Sequence, residues 1–244
     1  MTPLGVVGNF SMKTELGIWN VLSDQNLTSQ LTDYFDFIYV DLEHGFRSID
    51  DILATIRFYN YTQINYSVRV RRFDDPIIQT LLDAGVRKFI LPQIRSINEF
   101  EIFKHSVQFP PNGTRGLHPK SNLKINTPQN QNIALTVIVE TPEALEILHE
   151  IASDTLVTDL YLGVFDLSME LGIENGPFAA ELDKYFLKVR SVCETFHKNF
   201  VAMLPEGSGL SFAEKHVLDK VVVGIDSSLI HLLLLKLTTE LRTK

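Results

Sequence analysis

Short, almost unbroken apolar runs alternate with longer stretches whose apolar residues recur every three or four positions. The runs at 16–22, 37–42, 65–69, 88–91, 134–139, 157–162, 200–204 and 221–224 predict β-strands. Continuous apolarity of this length is expected of strands buried on both faces. Between them, 48–58, 76–84, 97–106, 142–151, 181–198 and 210–217 carry helical periodicity. Three helix starts are marked, by Ser48, by Asp75-Pro76 and by Thr141-Pro142 followed by Glu143. Strand–helix alternation predicts a parallel sheet, and eight such units predict a closed (β/α)8 TIM barrel. An open doubly wound sheet is the alternative with the same local pattern. No internal boundary interrupts the rhythm, so 1–244 reads as a single domain.

Two stretches depart from it. Residues 108–133 hold Pro110, Pro111, Pro119 and Pro128 among Asn, Gln and Lys, and predict a long polar loop over the site or a solvated excursion. From Ile225 to Leu241 the last helix carries Leu229, Ile230, Leu232 to Leu235, Leu237 and Leu241 around most of its circumference. A surface helix needs one apolar stripe. The excess predicts burial between subunits, or a helix that closes the barrel bottom.

Composition narrows the partners. Thirty acidic against 22 basic residues give a net charge of −8, with no basic run to neutralise phosphates, so no nucleic-acid partner is expected. No apolar run spans a bilayer, and the first 13 residues do not read as a signal peptide. A cytoplasmic protein is expected, in which the Asn26 and Asn112 sequons are incidental. The lone Cys193 sits in a helical pattern and reads as structural.

The chemistry is expected at the C-terminal ends of the strands. Phe37-Ile-Tyr-Val-Asp41-Leu-Glu43-His44-Gly45 ends in two carboxylates and a histidine. Tyr66-Ser-Val-Arg69 ends in arginine, Val137-Ile-Val-Glu140 in glutamate, and Tyr161-Leu-Gly163-Val-Phe-Asp166 in aspartate. Any one of these carboxylates is readily explained as a helix N-cap. Gathered at one rim, Glu140 and Asp166 form a hard oxygen site suited to Mg²⁺ or Mn²⁺. Such an ion can chelate a 2-oxo acid and stabilise its enolate. Arginine can hold a carboxylate or oxyanion, and histidine can move a hydroxyl proton near neutral pH. Lys88 and Lys220 start strands, at the wrong rim for a Schiff base. Of the other histidines, His118 in the polar loop has a modest claim.

With these residues in place, the chain resembles the HpcH/HpaI aldolases, class II pyruvate aldolases of the citrate lyase superfamily. The resemblance rests on ordered matches from about 16 to 230: Leu16-Gly-Ile-Trp19, Asp41-Leu-Glu43-His44, Val68-Arg69-Val70, Asp75-Pro76 and Leu82-Asp83-Ala-Gly85. It continues through Pro110-Pro-X-Gly113-X-Arg115-Gly116, Glu140-Thr141, Asp166-Leu-Ser168-X-X-Leu-Gly172 and Gly224-Ile-Asp226. It implies that Glu140 and Asp166 ligate Mg²⁺ or Mn²⁺, with Co²⁺ also acceptable. His44 would be the acid/base, oriented by Asp83, and Arg69 would hold the pyruvyl group. Asp41 and Glu43 would stand behind metal-bound water, Trp19, Gly163, Val164 and Phe165 would line the substrate pocket, and the Gly113–Gly116 turn would shape its mouth. It further implies a homo-oligomer, a hexamer or trimer of dimers, that exchanges the C-terminal helix.

The sequence departs from the family in a loop after Arg69 about one residue longer than usual, which sets Arg71 against Arg69. Isoleucine stands at 138 where relatives carry glutamine, and Gly163-Val164 replaces Gly-Pro. The activity implied is aldol cleavage or synthesis between a 2-oxo acid and an aldehyde. Alternatives are an acyl-CoA lyase of the citrate or malyl type, which would need a basic groove from Arg71, Arg72 and Lys120, and a non-catalytic oxo-acid-binding relative.

Overall fold

The computed structural model describes residues 14–45, 47–116 and 132–242. Eight parallel strands close on themselves in sequence order: β1 (Glu15–Asn20), β2 (Phe37–Asp41), β3 (Tyr66–Arg69), β4 (Lys88–Leu91), β5 (Ala134–Val139), β6 (Val157–Leu162), β7 (Asn199–Met203) and β8 (Lys220–Ile225). Pairing of β1 with β8 shuts the ring, so the doubly wound alternative is excluded. The helices are α1 (Gln25–Tyr34), α2 (Ile49–Thr62), α3 (Ile77–Asp83), α4 (Ile97–Val107), α5 (Pro142–Glu146), α6 (Leu148–Ser153), α7 (Val164–Glu170), α8 (Asp183–Phe196), α9 (Ser211–His216) and α10 (Asp226–Arg242).

All eight apolar runs become strands, because a parallel barrel covers both faces. Residues such as Ile38, Val40, Val68 and Leu160 face the helix layer and are fully buried. Two helices have little sequence signal. α1 buries only Thr28 and Leu31 and is started by Asp24, whose side chain accepts the Leu27 amide at 2.8 Å. α7 is seven residues long, too short to display a period. The stretch expected as one helix over 142–151 is two, parted at Ile147, whose backbone leaves the helical region. α2 begins with a capping box in which Ser48 and Asp51 satisfy each other's backbone amides.

Inward residues stack in layers along the barrel axis, as period-two strands require. At the N-terminal end Asn65, Lys88, Asp159, Asn199 and Lys220 line a polar cavity of about 160 Å³. Lys220 pairs there with Asp159 at 2.7 Å, and Lys88 donates to Asn65 at 2.7 Å, so neither lysine is near the strands' C-terminal ends. The middle layer is apolar and aromatic: Trp19, Phe37, Tyr39, Ile90, Ile138, Tyr161, Val201 and Val222. Above it lies the rim where the sequence places its charges. The buried Cys193 belongs to the outer core, with its thiol pushed up to about 12 by desolvation.

α10 does not close the barrel bottom. It leaves β8 at the upper rim, where Asp226 accepts from Asn20, Val21 and Leu22. Beyond its first turns it stands in solvent, with Leu233, Leu234, Leu235 and Leu241 all more than half exposed.

Candidate active site

Strand register builds the first part of the site. Asp41, the last residue of β2, aligns with Arg69, the last of β3. Their side chains form a two-point ion pair, Nε to Oδ1 at 2.8 Å and Nη2 to Oδ2 at 2.6 Å. Asp41 is buried, and its Oδ1 also accepts the Glu43 and His44 amides at 2.9 and 3.3 Å. One carboxylate therefore orients both the arginine and the turn that presents the histidine. Glu43 adds a second anion to Arg69, at 3.0 Å from Nη1. The guanidinium lies over Trp19, its Cζ 4.4 Å from the ring centroid, and Trp19 Nε1 donates to the Tyr161 hydroxyl at 3.4 Å. Clamped on two edges and one face, Arg69 still has N–H groups to offer.

The second part comes from β5 and β6. Thr141, not Glu140, caps α5: its hydroxyl accepts the Ala144 amide at 3.1 Å and donates to Ile94 O at 2.7 Å. Glu140 is thereby released into the barrel mouth, where it is 2% exposed and accepts the Gln93 amide at 2.7 Å. Gly163 makes room for it. A Cβ there would stand 2.7 Å from Glu140 Cβ and 2.8 Å from Ile138 Cγ2, so the β6 end admits no side chain. The chain then turns into α7, whose first turn carries Asp166.

The Glu140 carboxyl is pushed up to about 8, first by burial and then by the charges of Asp166 and Glu43, against the opposing pull of the Gln93 amide and Arg69. Glu43 is raised for similar reasons, burial ahead of its acidic neighbours, with Arg69 and His44 pulling the other way. Buried carboxylates that disfavour one another's ionisation around one already occupied arginine are short of positive charge. A divalent cation held by Glu140 and Asp166 would supply it, and the donor set, two carboxylates with room for water and substrate oxygens, suits Mg²⁺ or Mn²⁺. Among the described residues no group of three or more His, Cys, Asp or Glu converges as a metal cage. The fit is to an open two-carboxylate site.

Around these groups lies a cavity of about 250 Å³. It brings together most residues singled out in the sequence: Trp19, Asp41, His44, Arg69, Glu140, Gly163, Val164, Phe165 and Asp166. Glu43 reaches them through Arg69. Between the two arginines the geometry decides for Arg69. Arg71 turns outward, its Nε donating to Leu42 O at 3.2 Å and its head 3.9 Å from Asp75.

Two implied arrangements do not form within the chain. Asp83 is the last residue of α3, and a helix following β3 runs back to the N-terminal end of the barrel. It meets Arg115 there, at 3.3 Å, and within one chain does not reach His44 at the opposite rim. The carboxylate beside His44 is Glu43, at 3.9 Å from Nε2. The Gly113–Gly116 turn is also at the lower end. Thr114 and Arg115 donate to His105 and Gln108 carbonyls at the end of α4, and a Cβ on Gly113 would lie 2.3 Å from His105 O. Among the described residues it does not line this cavity. The 117–131 part of the polar loop, with His118, Pro119 and Lys120, falls outside the described residues.

Sequence reasoning missed Val21, Tyr161, Met203 and Ile225 on the cavity wall, and the Gln93 amide. Alternation contained a signal for part of this: Val21 follows Trp19 by two, and Tyr161 precedes Gly163 by two.

The HpcH/HpaI aldolase/citrate lyase family model matches residues 15–204. A 4-hydroxy-2-oxovalerate aldolase of Rhodococcus jostii (strain RHA1) is 25% identical over 183 residues, covering 72% of this chain and 71% of that protein. A hydroxypyruvate/pyruvate aldolase of Sagittula stellata is 27% identical over 176 residues, covering 69% and 70%. Among solved structures, an HpcH/HpaI aldolase/citrate lyase family protein from Burkholderia cenocepacia J2315 shares the fold. Its TM-score is 0.83 at 19% identity, over 94% of this chain and 95% of that one.

Proposed function

Because this chain belongs to the HpcH/HpaI aldolase/citrate lyase family, we propose that it is a divalent-metal-dependent aldolase acting between pyruvate, or a related 2-oxo acid, and an aldehyde. Its relatives in that family are carbon–carbon lyases, and it is one as well. The observation that carries the finer reading is the buried Glu140 sharing one cavity with Asp166 and the clamped Arg69. Glu140 and Asp166 would hold Mg²⁺ or Mn²⁺, which would supply Lewis-acid stabilisation of the enolate there.

The chain's own groups do the rest. Arg69, fixed by Asp41, Glu43 and Trp19, presents its remaining N–H groups to the oxo acid. In the cleavage direction His44 accepts the proton of the 4-hydroxyl as that oxygen becomes the aldehyde carbonyl. The C3–C4 bond breaks and its electron pair passes into the 2-oxo group as an enolate. A proton delivered to C3 then gives pyruvate. Glu43, beside both His44 and Arg69, is placed to steady the protonated imidazole. Gly163, Val164 and Phe165 bring the α7 start against the substrate.

The test is pyruvate release from a 4-hydroxy-2-oxo acid. We expect EDTA to abolish it and Mg²⁺ or Mn²⁺ to restore it. His44→Ala and Glu140→Ala, confirmed folded, should each lower turnover by about two orders of magnitude or more. Wild-type turnover in either variant rules out the assignment.

An acyl-CoA lyase is less favoured, because the arginines it would use are already engaged: Arg71 as above, and Arg72 with Asp74 at 2.5 Å. A screen of CoA thioesters separates the two. The apolar face of α10 fits association of copies of this chain, and we propose that α10 docks on a neighbouring copy. What supports this is the exposure of Leu233, Leu234, Leu235 and Leu241, an apolar surface of the kind that protein contacts cover.

A further inference from the structure

The cavity has two unlike halves. The charged groups come from the arc β2–β3–β5–β6. The remaining wall, contributed by β7, β8 and β1, presents Met203, Ile225 and Val21 beside Trp19, with Ile138 and the half-exposed Phe165 at its edges. Met203 and Ile225 pack on the aromatic barrel layer but keep a free face.

Polar groups do occur behind this wall, but they are turned away from it. The Asp226 carboxylate takes four donors: Asn20 Nδ2 at 2.8 Å, the Val21 and Leu22 amides at 3.2 Å each, and the Ser227 amide at 2.7 Å. Asn20 Oδ1 accepts from Arg47 at 2.7 Å and from Tyr59 at 3.3 Å. Arg47, behind this arc, spends its guanidinium on Asn20, Val21 O and Leu22 O. Arg69 is neutralised by Asp41 and Glu43. Among the described residues, no cation on this side is available to a ligand.

We propose that this half of the cavity binds the aldehyde's carbon chain and selects short aliphatic aldehydes over those bearing a second carboxylate. The inference rests on the aldolase reading above and names the acceptor class that reading leaves open. A carboxylate at the far end of the acceptor would lose its hydration against Met203 and Ile225 with no counter-charge. An alkyl chain covers the free faces of Met203, Ile225 and Val21, at about fourfold in binding per methylene buried. The cavity, about 250 Å³, is smaller than the roughly 300–1,000 Å³ that drug-sized ligands occupy, so the chain is short.

The experiment compares two four-carbon acceptors, butanal and 4-oxobutanoate, each with pyruvate and Mn²⁺. Pyruvate C3 gives up a proton and forms a bond to the aldehyde carbon, and the aldehyde oxygen takes up a proton. A separate sample follows exchange of the pyruvate methyl protons with D₂O, which reads enolate formation with no acceptor present. We expect kcat/KM for butanal to exceed that for 4-oxobutanoate by about tenfold or more. We also expect Met203→Arg to shift that ratio toward 4-oxobutanoate by a similar factor. The ratio within one preparation does not depend on the folded fraction. Exchange with equal or better use of 4-oxobutanoate, or an unmoved ratio in Met203→Arg, overturns the acceptor assignment and leaves the aldolase reading standing. Absence of both exchange and condensation overturns that reading and this one with it.

Discussion

Replacing Glu140 by Gln should make the metal-free protein more stable while destroying its activity. The side chain is 2% exposed, and Oε1 accepts the Gln93 amide, a bond that the Gln amide oxygen can keep. What disappears is a buried carboxyl held at about 8, against 4.5 in an unfolded chain. With the folded value raised, the native protein holds a proton that the unfolded chain releases, so wild-type stability falls as pH rises from 4.5 toward 8 and is level above. At about 1.36 kcal/mol per pH unit, the loss by pH 7 is about 3 kcal/mol, reduced toward about 1 kcal/mol where water enters the cavity mouth. Glu140→Gln carries no such loss. Urea unfolding in EDTA at pH 5, 6, 7 and 8, followed by the single buried Trp19, should show the two proteins equal near pH 5 and the variant ahead by 1–3 kcal/mol at pH 7. Saturating Mg²⁺ should reverse the order, because only the wild type gains binding energy on folding. A variant less stable than wild type at pH 7 in EDTA, or a difference independent of pH, refutes the reasoning.

Other consequences follow from the same geometry. Arg69→Lys keeps a charge but loses the two-point pairing with Asp41 and the contact on Trp19. Turnover should fall about 10²-fold or more in steady-state kinetics, and an unfolding titration should show a loss of about 1–3 kcal/mol. Gly163→Ala pushes a methyl group into Glu140 and Ile138, and should cost about 1–3 kcal/mol in unfolding titrations and weaken Mn²⁺ binding in calorimetry. The proposed docking of α10 predicts that Leu233→Glu with Leu237→Glu yields a smaller species than the wild type in size-exclusion chromatography with light scattering.

The parts of this molecule that were legible in its sequence are those set by burial. A strand enclosed on both faces must be apolar throughout, so the eight runs announce the barrel. Residues closing those runs announce the rim, and Asp41, Arg69, Glu140 and Asp166 are found there. What pairs with what was less visible, because it depends on register. The Asp41–Arg69 clamp follows from a β2–β3 alignment that no local pattern encodes. Helices α1 and α7 escaped because one rests on a capping aspartate and two buried residues, and the other on seven residues. Asp83 ends a barrel helix and so stands at the lower rim of its own chain, a placement that its motif alone does not reveal. The apolar acceptor wall was partly legible, since Ile138 stood out as a departure and Val21 lies two residues from Trp19.

The most direct test of the central claim is diffraction from crystals soaked with Mn²⁺ and pyruvate, with anomalous data to locate the metal. The account predicts one ion bound directly by Glu140 and Asp166, with pyruvate oxygens completing its coordination and Arg69 facing the ligand. Manganese bound elsewhere, or pyruvate held away from both carboxylates, contradicts it.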